Sequence, residues 1–145
     1  MVSKKDGAKG DIDMKKLTVI LLILLALLTG CGRESAYQPT GAENVTMTVS
    51  DVTATGAVVT IQDHNPEPFV YGEWFVIERE KDGGWYEVKT KITNYGFNEI
   101  GWLTDHGKLT MTVDWEWLYG KLPAGHYRIL KQAGTEIIGA EFTVE

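Results

Sequence analysis

Apolar and polar residues alternate with a period of two through most of the chain after residue 44. Side chains of a strand point alternately to the two faces of a sheet, so this pattern is typical of strands with one buried face. Turn residues separate the alternating stretches, and Lys81-Asp82-Gly83-Gly84 has the composition of a tight hairpin turn. The pattern predicts seven strands, over residues 45–50, 57–62, 73–80, 85–92, 109–114, 126–131 and 138–144.

The third of these strands carries large side chains on both faces. Phe75 and Ile77 share one face, and Trp74 shares the other with Glu78 and Glu80. Because two carboxylates are costly to bury, we predict that Phe75 and Ile77 point inward. Trp74 is then partly exposed or capped by another segment.

Seven short strands without a long helical pattern indicate an all-β domain over residues 44–145. Its size fits an immunoglobulin-like or fibronectin III-like β-sandwich of about seven antiparallel strands. Tyr127 enters a late strand just after Pro123 and Gly125, which is the setting of a tyrosine corner. In that motif the phenol hydroxyl bonds to the backbone a few residues upstream.

The same residues resemble a bacterial Ig-like family found on exported proteins of Gram-positive bacteria. The resemblance rests on Tyr71-Gly72, Asp82-Gly83-Gly84-Trp85, Asp114-Trp115, Tyr119-Gly120 and residues 122–128. It implies a scaffold or adhesive module and implies no activity. The lone cysteine lies outside this region, so no disulfide joins the two sheets, and apolar and aromatic packing must stabilise the domain.

The N-terminal part has the pattern of an export signal. Lys15 and Lys16 precede residues 17–28, in which Thr18 is the only polar residue. This run is shorter than the roughly 20 residues that span a bilayer, and it fits the apolar core of a signal-peptide helix. We therefore expect residues 1–30 to be a signal peptide, with residues 1–13 as an extension or a wrongly assigned start before Met14.

Leu28-Thr29-Gly30-Cys31 resembles the lipobox of bacterial lipoproteins. The resemblance implies that the Cys31 sulfur takes a diacylglyceryl group and that a peptidase cuts between Gly30 and Cys31. Two acyl chains anchor a protein durably to a membrane. We expect a protein of the cell membrane, lipid-anchored on its extracytoplasmic face, with residues 31–43 as the lipidated cysteine and a flexible tether.

Charge and motif content restrict the function. From Cys31 onward nine Lys and Arg face 17 Asp and Glu, a net charge of −8, which disfavours nucleic acid as a partner. His64, His106 and His126 form no metal-ligand spacing, and hydrolase motifs are absent. Asp114 and Glu116 flank Trp115 but are interpreted as a solvated strand edge. We predict no enzyme activity, no cofactor and no metal.

Aromatic residues supply the candidate binding site. Trp74 on the third strand and Tyr95, Phe97 and Trp102 in the connection of residues 94–107 are the candidates. Long connections are either functional or fold over the core, and both interpretations stay open. We predict a noncatalytic surface lipoprotein whose domain binds a protein or envelope component. The alternative is a carbohydrate or cell-wall module that stacks glycans on the aromatic residues of this connection.

Overall fold

The computed structural model describes Met14 and residues 32–145. The chain divides into the units Met1–Cys31 and Gly32–Glu145, and the fold below is that of the second unit. The predicted signal-peptide helix and the lipid attachment at Cys31 lie outside the described residues. Among the residues that are described, no helix has both the length and the apolar character needed to cross a bilayer.

Residues 32–145 form nine strands and one helical turn. In chain order they are β1 (Val45–Ser50), β2 (Gly56–Asp63), β3 (Tyr71–Gly72), β4 (Val76–Lys81), β5 (Gly84–Glu87), β6 (Gly101–Trp102), β7 (Lys108–Asp114), α1 (Glu116–Tyr119), β8 (Gly125–Ala133) and β9 (Glu136–Val144). Strands β1, β2 and β7 make one antiparallel sheet, and β5, β4, β8 and β9 make a second, in those orders. Strands β3 and β6 pair as a short ribbon. The prediction of an antiparallel Ig-like β-sandwich is confirmed.

The sandwich core lies between the inner faces of the two sheets. Phe75 and Ile77 are buried there, as predicted from the carboxylates on the opposite face. Phe142 of β9 stacks on Trp115, with ring centroids 5.3 Å apart, and on Tyr127, at 5.7 Å. Large aromatic surfaces of this kind provide much of the apolar burial in a small domain that has no disulfide between its sheets.

All seven predicted strands are present, and two of them have a limit that differs from the predicted one by three residues or more. The β4–β5 hairpin turns through Asp82 and Gly83, whose φ values of 51° and 77° suit a two-residue turn with left-handed backbone. Strand β4 begins at Val76 rather than at residue 73, because the carbonyls of Gly72 and Trp74 accept hydrogen bonds from the Lys131 side chain. Strand β5 ends at Glu87 rather than at residue 92.

Tyr127 has the geometry of a tyrosine corner. Its hydroxyl donates to the Pro123 carbonyl at 2.7 Å, four residues upstream. The side chain is buried, and burial raises the pKa of its phenol, while the nearby Arg79 acts in the opposite direction. This contact fixes the chain where it enters β8.

Residues 33–41 correct the expectation of a free tether; we call them the strap. The Ser35 N–H donates to the Trp85 carbonyl and the Glu87 N–H donates to the Arg33 carbonyl, so the strap begins as an extra strand beside β5. The Gly41 N–H donates to the Ile137 carbonyl of β9. The polar residues of the strap suggested a flexible coil, but the strap instead forms hydrogen bonds with the domain.

The strap also covers the outer face of the four-stranded sheet. Glu78 is fully buried on that face, where it accepts hydrogen bonds from Arg128 at 2.5 Å and from the Ser35 hydroxyl. Tyr37 packs against Trp74, with ring centroids 5.8 Å apart. A carboxylate is buried at low cost only when such partners satisfy it. The outer face of β4 is therefore a second, smaller packed layer.

Candidate binding surface

Strand β7 has an open edge. Within residues 32–145 it pairs with β2 on one side, and no strand pairs with it on the other. The Asp63 N–H donates to the Gly107 carbonyl, so the odd-numbered residues of this ladder exchange hydrogen bonds with β2. Bonded and unbonded residues alternate along an antiparallel strand. The backbone N–H and C=O groups of Thr110 and Thr112 therefore point to the open side.

The connection between β5 and β7 runs beside this edge. Its short strand β6 pairs Trp102 with Tyr71 and Gly101 with Gly72 of β3. The carboxylate of Glu73 accepts hydrogen bonds from the Asn98 backbone N–H at 3.1 Å and from its side-chain amide at 2.9 Å. These contacts hold the segment that carries the predicted aromatic residues.

Three aromatic residues, Tyr95, Phe97 and Trp117, contact one another there, and Trp102 lines the same groove as Phe97 and Trp117. We call these four residues the aromatic patch. The Phe97 ring centroid lies 6.0 Å from that of Tyr95 and 5.9 Å from that of Trp117, in edge-to-face contacts. Phe97 also packs on buried Phe75 at 5.3 Å, which joins the patch to the core. The exposed fractions of Tyr95, Trp102 and Trp117 are 44%, 36% and 39%, large values for side chains of this size.

A groove of about 460 Å³ separates the patch from β7. Its walls are formed by Glu73, Phe75, residues 96–98, Trp102, residues 111–114, Trp117 and Lys131. The volume lies within the range of roughly 300–1,000 Å³ that is usual for ligand sites. Aromatic faces line one side, and the open backbone of Thr112 lies on the other.

A buried lysine forms the end of the groove nearest the core. Lys131 points between the sheets, and its ammonium donates to the carbonyls of Gly72 at 2.8 Å and Trp74 at 3.0 Å. Burial lowers the pKa of this lysine to about 8, and the carboxylate of Glu73 acts in the opposite direction. The two carbonyl bonds compensate part of the cost of burying a charge here.

The structure brings together three of the four predicted binding residues. Tyr95, Phe97 and Trp102 belong to the patch, whereas Trp74 lies under Tyr37 of the strap on the outer face of the other sheet. Phe97 covers the core, as one interpretation of the connection expected, and Tyr95 and Trp102 are exposed. A binding role for the connection stays a prediction.

Sequence reasoning missed two residues of this surface. Trp115 and Trp117 continue the alternation of β7, which by itself would place both side chains on the same face. The helical turn α1 instead leaves Trp115 buried and Trp117 exposed. Lys131 was placed on a strand but not in the interior. Its position two residues after Ile129, on the same face of β8, was the signal that it points inward.

The polar side chains Asp114 and His126 make local structural contacts. Asp114 accepts a hydrogen bond from the Glu116 backbone N–H at 2.8 Å, so it serves the turn into α1. His126, far from the groove in β8, contacts Glu141 at 2.9 Å. In the described part of the chain, no three His, Cys, Asp or Glu side chains are close enough to hold a metal ion. Aromatic faces and a row of backbone groups are suited to recognition.

Two antiparallel sheets packed in this way, with a tyrosine corner, define the class of immunoglobulin-like sandwich domains. The family model for the bacterial Ig-like domain matches residues 41–143, and the chain belongs to that family. Ig-like domains of this kind are typically noncatalytic and associated with surfaces. No curated protein matches the chain.

Proposed function

We propose that this protein is an exported, lipid-anchored binding module and that the aromatic patch beside β7 contacts a protein partner. The observation that carries the proposal is the concentration of exposed apolar side chains in one region. Apart from Met14, the exposed large hydrophobic residues of the described chain are Val70, Ile92, Tyr95, Ile100, Trp102, Leu103 and Trp117. Five of the seven lie on the connection between β5 and β7, and Trp117 contacts Tyr95 of that connection. Exposed apolar side chains gathered in this way are typical of a protein interface.

Anchoring at Cys31 rests on the sequence. A basic start, a short apolar run and Leu28-Thr29-Gly30-Cys31 occur in the order that lipid modification requires. Radiolabelled palmitate fed to producing cells should label the wild-type chain and leave Cys31→Ser unlabelled. Equal labelling of both proteins, or of neither, would contradict the anchor.

The binding role is tested by photocrosslinking in intact cells. A photoreactive amino acid at Leu103, which is exposed beside the patch, should give a discrete adduct that contains this chain and a protein. Adding Trp117→Ala should strongly reduce that adduct, whereas Lys121→Glu, on the exposed loop after α1, should leave it unchanged. An adduct that persists unchanged in the Trp117 variant would contradict the role of the patch.

Glycan binding is the second candidate, and the exposed indoles of Trp102 and Trp117 favour it. Sugars stack on such faces, and stacking alters tryptophan fluorescence. Titration with cell-wall glycans should then shift the emission of the wild type but not that of Trp102→Ala. Fluorescence unchanged across soluble peptidoglycan fragments would exclude this candidate.

A further inference from the structure

The sequence of the edge strand β7 is symmetric about its central residue, and its two ends carry opposite charges. Its sequence Lys-Leu-Thr-Met-Thr-Val-Asp is centred on Met111. Around that centre Thr110 mirrors Thr112, Leu109 mirrors Val113, and Lys108 mirrors Asp114 with the opposite charge. A strand of this pattern is complementary to a second copy of itself in antiparallel orientation.

We propose that two copies of this protein pair through their β7 edges, in antiparallel register about Met111. The proposal rests on the proposed function, because it names a second copy as the protein that contacts this surface. In this register Thr110 of each copy faces Thr112 of the other. These are the residues whose backbone N–H and C=O groups point to the open side, so each facing pair exchanges two hydrogen bonds.

The ends of the strand select this register. Lys108 of each copy lies opposite Asp114 of the other, which gives two opposite-charge pairs per dimer. A shift by two residues places Lys108 opposite Thr112 and removes both charge pairs. Because a two-fold axis relates the copies, the contact closes on itself and does not extend into a fibre.

The β5 edge of the second sheet, in contrast, is already covered in each copy. Arg33–Ser35 of the strap lies along β5 through two backbone hydrogen bonds. Natural sheets cover or pair such edges, because unpaired backbone groups attract other strands. Strand β7 has no such cover, and the apolar patch flanks it. Pairing buries the open edge and apolar surface beside it together.

Charge-reversal variants at Lys108 and Asp114 test the register in which the two β7 strands pair. The full chain, in a density-matched detergent, is analysed by sedimentation equilibrium. The wild type should show a concentration-dependent dimer. Lys108→Glu and Asp114→Lys should each weaken it by about tenfold or more, because each places like charges opposite one another twice. Mixing the two variants should restore a heterodimer, since both of its charge pairs are then opposite. Lys121→Glu is the control for net charge and should dimerise like the wild type.

A proline substitution tests backbone pairing at the β7 edge without changing any charge. Thr112→Pro removes an N–H that points to the open side and spares the ladder to β2, so the domain should keep its circular dichroism and lose the dimer. Met111→Pro breaks the ladder itself and should unfold the domain.

A wild type that stays monomeric at all concentrations, or single charge variants that dimerise as strongly as their mixture, would overturn the proposal. If the Leu103 adduct with another protein persists in that case, the proposed function stands without self-pairing.

Discussion

The hydroxyl of Tyr71 donates a hydrogen bond of 2.8 Å to Oδ2 of Asp63, and both side chains are buried. The same carboxylate accepts bonds from the backbone N–H groups of Asn65 at 3.0 Å and Phe69 at 2.8 Å. Asp63 thus joins the end of β2 to β3, and β3 pairs with the strand that carries Trp102. Through these contacts the buried acid helps to position Trp102.

Asp63 should make stability sensitive to acid. Burial by itself raises the pKa of this carboxyl, but the hydrogen bonds from Asn65, Phe69 and Tyr71 outweigh it and hold the pKa below 3.8. The folded protein then binds a proton less readily than the unfolded chain, so the stabilisation is present above about pH 5 and is lost as the pH falls through the folded pKa. Asp63→Asn should lower the free energy of unfolding at pH 7 by about 2–3 kcal/mol, measured by urea denaturation. An equal decline of both proteins between pH 5 and pH 3 would contradict this assignment.

Lys131 should also make stability rise with pH, but in the alkaline range. With a pKa of about 8 against 10.5 for an exposed lysine, the folded protein releases a proton that the unfolded chain still holds. Stability should therefore rise between these two values, by at most about 1.4 kcal/mol per pH unit. The difference in unfolding free energy between wild type and Lys131→Met isolates this effect, because the buried tyrosines contribute equally to both. A difference that stays constant from pH 7.5 to 10 would contradict it.

The tyrosine corner should contribute a measurable hydrogen bond. Tyr127→Phe keeps the stacked ring on Phe142 and removes the bond to the Pro123 carbonyl, so thermal denaturation should show a loss of about 1–1.5 kcal/mol. Tyr95→Phe is the matched control, since the Tyr95 hydroxyl makes no hydrogen bond to the described residues. Losses of equal size in the two variants would argue against the corner.

The strap should be part of the folded domain. Its Ser35 amide and the Glu87 amide that pairs with it should exchange slowly with solvent, whereas a free tether exchanges at once. Ser35→Ala, which removes a hydroxyl bond to buried Glu78, should cost about 1–2 kcal/mol and accelerate exchange at both amides. Rapid exchange of the Ser35 amide in the wild type would contradict the docked strap.

Local patterns were enough to predict the sandwich. The period-two alternation in β1, β2, β7 and β9 records which side chains face the core, and the Asp82-Gly83 pair records a turn with left-handed backbone. These features act between neighbours in sequence. The carboxylates of β4 also led to the correct inward face, although Glu78 itself is buried.

The binding surface depended on contacts between distant residues. Glu78 is buried because Ser35 and Arg128, 43 and 50 residues away, supply its partners. Trp74 packs against Tyr37 of the strap, so it does not belong to the aromatic patch. Trp117 belongs to the patch because the helical turn after β7 interrupts the alternation of buried and exposed residues. Neither composition nor periodicity encodes these long-range pairings.

Residue-resolved amide exchange along β7 tests the central claim most directly. In dilute protein the amides of Leu109, Met111 and Val113 should exchange slowly, because they face β2, and those of Thr110 and Thr112 should exchange fast, because they face the open edge. As the concentration rises, Thr110 and Thr112 should become protected while their neighbours stay unchanged. Uniform protection along the strand in dilute protein, or fast exchange at the two threonines at every concentration, would contradict an edge that is open in one copy and closed by a second.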